Sequence, residues 1–298
     1  METLIPLITL PAIAGLGFLT RKTGYIGEEA FSHLPQLMLR LCYPLLILTS
    51  LMRTDLRAIL AESLVAVLGT AGLTLALYLL GKLVFRRADP ARRPIYLFNL
   101  SIGNIVYVTL PVTSALFGPE GVVLTMLCTT TQDLFLWSLY HLEFRRQEGA
   151  RASLLRAVAN PCTAALLLGI TLSLLRVPFP AWLEFASTLA SLTSPLGMLF
   201  IGATLVGCNL QTIFRGPVLL TSALKVLAVP ALACALFFLL TWDAGFAAIM
   251  TLYFASPCAL LSAVWAKEYG RDLDMAAGSV LVSTVLFFLG VGVYALLR

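Results

Sequence analysis

The stretch that decides the fold is SIGNIVYVTLP, residues 101–111, which lies inside a long run of apolar sequence. It puts a glycine, an amide and a proline into a segment that otherwise predicts a membrane-crossing helix. Gly103 and Asn104 leave helical geometry at little cost, and Pro111 cannot donate a hydrogen bond to the carbonyl of Tyr107. The pattern therefore predicts an interrupted helix, whose free backbone groups are available to a ligand.

Composition puts this stretch in a membrane. The chain has 298 residues, of which 59% are hydrophobic and 12% are charged, whereas a soluble domain is about 45–50% apolar. Because about 20 apolar residues cross a bilayer, the sequence predicts an all-α membrane protein of ten spans. The apolar runs place these spans at roughly 3–20, 33–52, 57–81, 94–117, 120–142, 158–175, 184–208, 217–240, 244–266 and 275–297.

Basic residues between the spans predict the topology. One alternate set of loops carries fourteen Lys and Arg residues, and the other set, with the C-terminus, carries four. Since basic residues near span ends stay on the cytoplasmic side, we expect a multi-pass protein of the inner cell membrane with both termini outside the cytoplasm. The net charge of +5 is explained by these loops, so no nucleic-acid partner is expected.

The longest polar connection, residues 143–156, divides the predicted spans into five and five. A duplicated unit of five spans must enter the membrane in opposite orientations. We therefore expect one transmembrane domain, 1–298, made of a first repeat at about 1–145 and an inverted second repeat at about 157–298. Pro257 in the ninth span corresponds to Pro111 in the fourth, so the fourth and ninth helices are expected to be broken and to cross.

The expected crossover is a candidate anion site, because the N-terminus of a half-helix carries a partial positive charge. Its predicted substrate-binding residues are Asn104, Tyr107, Thr109, Pro111, Tyr253, Ser256 and Pro257. The competing interpretation is a pair of kinked packing helices, since proline is common in membrane helices.

Ionisable residues inside the spans are a second indication of a site, because each is costly unless it is paired or hydrated. Asp133, which follows Gln132, lies about ten residues or roughly 15 Å from the end of its span. Two interpretations remain open: a proton-coupling, cation or gating group, or a structural ion pair with Arg40 or Lys225. Those two cations are close enough to a span end to snorkel, or they attract an anion.

Several function classes are excluded by missing motifs. The six cysteines are scattered without a CxxC pair, and no histidine stands at metal-ligand spacing, so neither a metal nor a cofactor is expected. There is no HExxH motif and no paired aspartate-rich motif, so the protein is not expected to be an enzyme. A phosphate-binding GxxxxGK[ST] loop is also absent, which disfavours a primary pump.

Motifs along the whole chain resemble the auxin efflux carrier family. They are residues 15–22 (GLGFLTRK), Gly103-Asn104, Leu110-Pro111, residues 116–121 (LFGPEG), Asn160-Pro161, Ser256-Pro257 and residues 266–270 (AKEYG). The resemblance implies ten helices in two inverted repeats, with the fourth and ninth helices broken where they cross. It also implies a permease of the bacterial branch for malate, malonate and similar carboxylates, and homodimers are known in that family.

The expected function is therefore secondary transport of small organic anions, mono- or dicarboxylates, by alternating access. Expected partners are such an anion, membrane lipid, a coupling proton or sodium ion, and a second copy of the chain. Two alternatives stay open: a sodium-coupled symporter of larger organic anions in a related ten-helix fold, and a membrane sensor that does not transport.

Overall fold

The computed structural model describes residues 4–144, 161–204, 206 and 214–296. The helix bounds are α1 Leu4–Lys22, α2 Glu28–Leu37, α3 Tyr43–Arg53, α4 Leu60–Val84, α5 Arg93–Ser101, α6 Leu110–Phe135, α7 His141–Phe144, α8 Pro161–Leu174, α9 Glu184–Ser191, α10 Thr193–Thr204, α11 Gly216–Ala223, α12 Val229–Thr241, α13 Ala244–Ala255, α14 Leu260–Glu268 and α15 Leu273–Leu296. This agrees with the expected all-helical class. The predicted boundary between the repeats, 145–157, and Asn160 of the family motif lie outside the described residues.

Four helical stretches within the described residues are long and apolar enough to cross a membrane. They are Leu60–Val84, Ile105–Phe144, Gly216–Thr241 and Leu273–Val293. Exposure follows the pattern of a membrane protein: Leu68 and Leu83 of α4 are 69% and 63% exposed, whereas Thr70 and Thr74 of the same helix are fully buried. Apolar side chains therefore cover the outside of this helix, and hydroxyl groups lie inside.

Three prolines follow wide helical turns in helices that continue through them. A π-helical turn of five residues, Met38–Cys42, Ile105–Thr109 or Leu224–Ala228, comes just before Pro44, Pro111 or Pro230 respectively. Proline has no N–H to donate, and its ring clashes with the carbonyl four residues earlier. A wider turn accommodates both effects, which explains why these helices continue through their prolines.

The chain folds back at Gly118, inside α6. Gly118 has φ 62° and ψ −155°, outside helical geometry, and glycine adopts this conformation without a Cβ clash. A Cβ on Gly121 would lie 3.0 Å from the side chain of Thr113, whereas a straight helix rises about 12 Å over eight residues. The stretch Ile105–Phe144 therefore consists of two helical segments that meet at a sharp kink at Gly118.

Helix packing follows a regular scheme. α1 packs along α10, and α3 packs along α8, so each pair joins an early and a late part of the chain. α4 packs on α6, and α11 packs on α15. The largest buried apolar cluster lies among α4–α7 and α11–α15, while a second cluster holds α3 and α8 against α6. The half-helices α5 and α14 lie within the first of these groups.

Candidate functional site

Two helix interruptions form the centre of the candidate site. α5 ends at Ser101, and Ile102 is extended with φ −88° and ψ 129° before helical structure resumes at Ile105. α13 ends at Ala255, Ser256 is non-helical with φ −43° and ψ 138°, and Ala259 is extended before α14 begins at Leu260. We name these two interruptions, residues 102–104 and 256–259, the first and second breaks.

The two breaks meet and pair through their backbones. Gly103 and Cys258 form an isolated antiparallel bridge, and the N–H of Asn104 donates to the carbonyl of Pro257 over 2.8 Å. A Cβ on Gly103 would lie 1.6 Å from Oγ of Ser256. Only glycine therefore allows this approach, which gives the SIGN sequence a physical role as the crossing point.

The two prolines do not occupy equivalent positions, unlike the correspondence expected from the sequence. Pro257 lies inside the second break, opposite Asn104. Pro111 lies outside the first break, in the first turn of α6 after the π-helical turn. The reason is that Gly103 and Asn104 supply the non-helical geometry, while the wide turn accommodates Pro111 within a continuing helix.

A cavity of about 130 Å³ lies beside the breaks. Its lining comes from the first break and the following turn, the far part of α6, and the start of α14, namely Ile102, Gly103, Asn104, Ile105, Val106, Tyr107, Thr129, Gln132, Asp133, Leu136, Ala259, Leu260 and Leu261. Helical structure begins at Ile105 and at Leu260, and neither start has a side-chain cap. Two helix N-termini with partial positive charge therefore border one small cavity. We name it the crossover cavity.

Asp133 and Asn104 put side-chain polar groups into the wall of this cavity. Asn104 is 5% exposed and does not cap the helical turn that follows it, and within the described residues no hydrogen bond or ion pair influences the partly buried carboxyl group of Asp133. The expected structural pair of Asp133 with Arg40 or Lys225 is not formed there. The carboxylate and the amide are thus available to a ligand or to water.

Lys225 does not line the crossover cavity but contacts the end of α5 next to it. It is fully buried, and its Nζ donates to the carbonyl of Ser101 over 3.3 Å. Nε2 of Gln132 donates to the same carbonyl over 3.0 Å. This carbonyl is at the C-terminus of α5, where the helix dipole is negative, so the amine satisfies it both as a hydrogen-bond donor and as a positive charge. Arg40, by contrast, is exposed.

Five predicted binding residues do not line the crossover cavity, namely Thr109, Pro111, Tyr253, Ser256 and Pro257. Thr109, Tyr253 and Ser256 are fully buried, and their hydroxyl oxygens have no hydrogen-bond partner within the described residues. Tyr107 does line the cavity, and its ring packs 5.7 Å from that of Phe200 in α10. Among the predicted residues, the structure thus brings together Asn104, Tyr107, Gln132 and Asp133.

Sequence reasoning missed the carbonyl of Ser101 and the start of α14 at Leu260. Every residue has a backbone carbonyl, so the sequence does not show which carbonyl belongs to a site. Leu260 contributes the N-terminus of a helix through its position in the chain, and not through its side chain. One signal was present, since a lysine far inside an apolar run needs a partner. No group of three or more His, Cys, Asp or Glu able to hold a metal occurs in the described part of the chain.

Comparison with known proteins gives two matches over nearly the full length. The membrane transport protein family matches residues 1–295. A protein of Methanothermobacter thermautotrophicus described as an uncharacterized transporter is 29% identical over 293 residues, which cover 96% of this chain and 94% of that protein.

Proposed function

The chain belongs to the membrane transport protein family, and from that premise we propose that it carries small organic anions, mono- or dicarboxylates, by alternating access. That it is a membrane-spanning transporter follows from the family and its apolar helices. The observation that supports the anion is the crossover cavity, where two uncapped helix N-termini and the free amide of Asn104 border one space. Partial positive charge and N–H donors suit a carboxylate.

The ten-span inverted repeat is part of this proposal. If α1 is the first span and α8 the sixth, an inverted duplication relates the contact between spans one and seven to a contact between spans six and two. The pairs α1 with α10 and α3 with α8 fit that relation. The pairs α4 with α6 and α11 with α15 fit it for spans three with five and eight with ten. We further propose that the end carrying Arg86 and Arg271 is cytoplasmic, with both termini on the opposite side.

Alternating access needs one part that holds still and one that moves. We assign α1–α3 and α8–α10 to the scaffold, and α4–α7 and α11–α15 to the moving part that carries the crossover. Support comes from the apolar clusters, since the largest one lies within the proposed moving part. Tyr107 lies at the division, because it lines the cavity while its ring packs on Phe200 of the scaffold.

Proton coupling through Asp133 is the coupling that we propose. An ionised Asp133 would repel a carboxylate bound in the same small cavity, so anion binding favours the protonated acid. The sodium-coupled alternative has less support, because the carbonyl of Ser101, an oxygen that could coordinate sodium, already accepts from the Lys225 amine.

The experiment that tests the function is uptake into proteoliposomes by the purified full chain, with mono- and dicarboxylates offered at several pH values and with or without sodium. We expect saturable carboxylate uptake that rises as the pH falls and does not need sodium. Uptake that requires sodium would favour the sodium-coupled alternative, and saturable binding without any uptake would favour the sensor.

Asn104→Ala tests the site itself. Loss of one hydrogen bond to a charged ligand should weaken carboxylate binding by about 1–3 kcal/mol. A neutral analogue of the same shape should lose less, because its hydrogen bond to the amide carries no charge. Thr171→Ala, at an exposed hydroxyl of α8, is the control and should leave binding unchanged. Equal losses for the charged and neutral ligands would indicate that Asn104 only packs.

A further inference from the structure

A second, strongly basic cavity lies at the opposite end of α5 from the crossover. Its volume is about 330 Å³, and it is lined by Arg86, Ala88, Pro90, Arg93, Pro94, Leu142, Glu143 and Arg271. We name it the arginine cavity. Arg93 is the first residue of α5, and the nine residues of this helix span roughly 13 Å. The cavity is therefore separate from the crossover cavity, although both adjoin the same half-helix.

Arg271 holds the walls of this cavity together without losing its charge. It donates from Nη1 to the carbonyl of Pro90 over 3.2 Å and from Nη2 to the carbonyl of Phe144 over 2.9 Å. Neither acceptor is a carboxylate. The Nε atoms of Arg93 and Arg271 are buried and have no hydrogen-bond partner within the described residues. Buried guanidinium donors without an acceptor are costly, so an anionic acceptor in this cavity would stabilise them.

Two acidic groups at or near the cavity, Glu143 and Asp272, already have basic partners. Glu143 is the carboxylate in its lining, and it accepts from Nζ of Lys82 at 3.0 Å and from the hydroxyl of Tyr78 at 2.6 Å. Outside the lining, Asp272 pairs with Arg92 at 2.8 Å. Among the described residues, three arginines thus line a space whose one acidic group is neutralised by a lysine, and these side chains together give the cavity a positive charge.

The surroundings of the cavity favour a lipid as the source of the anion. α4 exposes Leu79, Leu80, Leu83 and Val84, each by more than half, and it ends at Val84, two residues before Arg86. In a membrane this apolar face is covered by acyl chains, so the cavity lies at the level of the headgroups. Arginine pairs bind phosphate oxygens through parallel N–H donors, and basic pockets between helices at a membrane surface hold anionic headgroups.

We propose that the arginine cavity binds the phosphate group of an anionic phospholipid. A phosphate there would contact the start of α5 and the connection that follows α14, since Arg93 is the first residue of α5 and Arg271 lies between α14 and α15. Both half-helices run from this cavity to the breaks. The bound lipid would therefore hold the outer ends of α5 and α14 at a fixed separation.

The experiment measures lipid binding to the detergent-solubilised full chain by native mass spectrometry and by thermal unfolding. The probes are dioleoyl phosphatidylglycerol, dioleoyl phosphatidylcholine and inorganic phosphate. We expect phosphatidylglycerol to bind and to raise the unfolding temperature, and phosphatidylcholine to bind at least about tenfold more weakly, because its headgroup has no net charge. Inorganic phosphate should also bind at least about tenfold more weakly, because it has no acyl chains to contact α4.

Three arginine variants locate the site. Arg86→Gln and Arg93→Gln should each weaken phosphatidylglycerol binding about tenfold, the effect of losing one charge-assisted contact. Arg87→Gln is the matched control, since Arg87 adjoins Arg86 in sequence, is exposed and does not line the cavity. It should change binding less than about twofold.

Three results would overturn the proposal. Equal losses for Arg87→Gln and Arg93→Gln would mean that only surface charge attracts the lipid. Equal binding of phosphatidylcholine would mean that the phosphate group is not selected by charge. Binding of inorganic phosphate as tight as that of the lipid would make the cavity a site for a soluble anion. Because Arg86 is exposed, Arg86→Gln should fold and keeps the test valid even if Arg93→Gln folds poorly.

Discussion

The two sides of the crossover differ in whether the partial charge of a helix end has a partner. On one side, the C-terminus of α5 presents the carbonyl of Ser101, which accepts from Nζ of Lys225. Nε2 of Gln132, a residue that also lines the crossover cavity, donates to the same carbonyl. On the other side, helical structure begins at Ile105 and Leu260 without a side-chain cap. The crossover cavity and Asp133 lie on that second side.

The difference separates a fixed part of the site from an open part. A buried amine permanently satisfies the negative end of a half-helix, so the first side can hold its geometry while the rest changes. The positive ends on the second side have no such partner and remain available to an anion. Asp133 lies with the open side, where its protonation state alters the charge that a ligand meets.

The largest loss of transport and of stability is expected from Gly103→Ala, which should separate the two sides of the crossover. The new Cβ would lie 1.6 Å from Oγ and 2.6 Å from Cβ of Ser256, and overpacking of this kind costs about 1–3 kcal/mol or more. We expect transport to be lost and the unfolding temperature to fall.

The controls for this variant are one single and one double substitution. Gly72→Ala adds a methyl group in α4 where nothing lies within 4 Å, and it should behave like the natural protein. Adding Ser256→Gly to Gly103→Ala removes both clashing atoms and should restore part of the stability. Normal uptake by Gly103→Ala alone would show that the breaks need not pair closely.

Lys225→Met tests the fixed side. Methionine fills similar space, and replacing a buried ion by an apolar group is often neutral or stabilising. We therefore expect a folded protein with nearly unchanged stability. Transport should fall by about tenfold or more, since a loss of about 1.4 kcal/mol at the carbonyl of Ser101 corresponds to that factor. Lys267→Met, at an exposed residue, is the control. Unchanged uptake by Lys225→Met would show that this buried amine is tolerated but not needed for transport.

Asp133→Asn tests the open side. The variant keeps the shape of the side chain and removes its titration, so uptake should lose its pH dependence while carboxylate binding survives. Asp274→Asn, which removes a surface pair with Arg215 at 3.0 Å, should keep the natural pH profile. The measurement is uptake across a pH series beside equilibrium binding at each pH. An unchanged profile for Asp133→Asn would assign the coupling to another group.

The smallest effect, a change in stability, is expected from substitution of Asp272, which lies away from the crossover. Partial burial opposes its ionised form, but the N–H of Met275 and the guanidinium of Arg92 together hold its pKa below the ordinary value. Because the folded-state pKa is the lower one, this group stabilises the fold above about pH 4, and the contribution is lost as the pH falls further.

Asp272→Asn should therefore lower the free energy of unfolding by about 1 kcal/mol at neutral pH, since asparagine still caps α15 and the ion pair is partly exposed. Below about pH 4 the variant and the natural protein should become equally stable. A difference that persists into strong acid would show that the side chain contributes through packing instead of charge.

Much of the fold could be predicted from local sequence, because a membrane restricts the composition of the segments that cross it and of the loops between them. Long apolar runs, short basic loops and the GN pair inside one run predicted an all-helical membrane protein with an interrupted helix. Pro111 misled the positional argument, because a single proline in a helix can be absorbed by a π-helical turn as well as by a break. Gly103 carried the more reliable signal, since close backbone approach tolerates no side chain.

The partners of Asp133 and Lys225 were beyond the sequence. Each residue was recognisable as an intramembrane charge, but a carboxylate and an amine in apolar helices predict an ion pair as readily as two separate sites. Folding placed the amine on the carbonyl of Ser101, 124 residues away in sequence, and left the carboxylate facing the crossover cavity.

The sequence by itself thus determined that the chain is an all-helical membrane protein and where one helix is interrupted, because those properties depend on apolar length and on backbone freedom within a few residues. Only the tertiary structure decided that the two breaks pair, which helix ends are satisfied and which remain open. The reason is physical: a helix end gains its charge partner from whatever the fold brings beside it, and that neighbour belongs to a distant part of the chain.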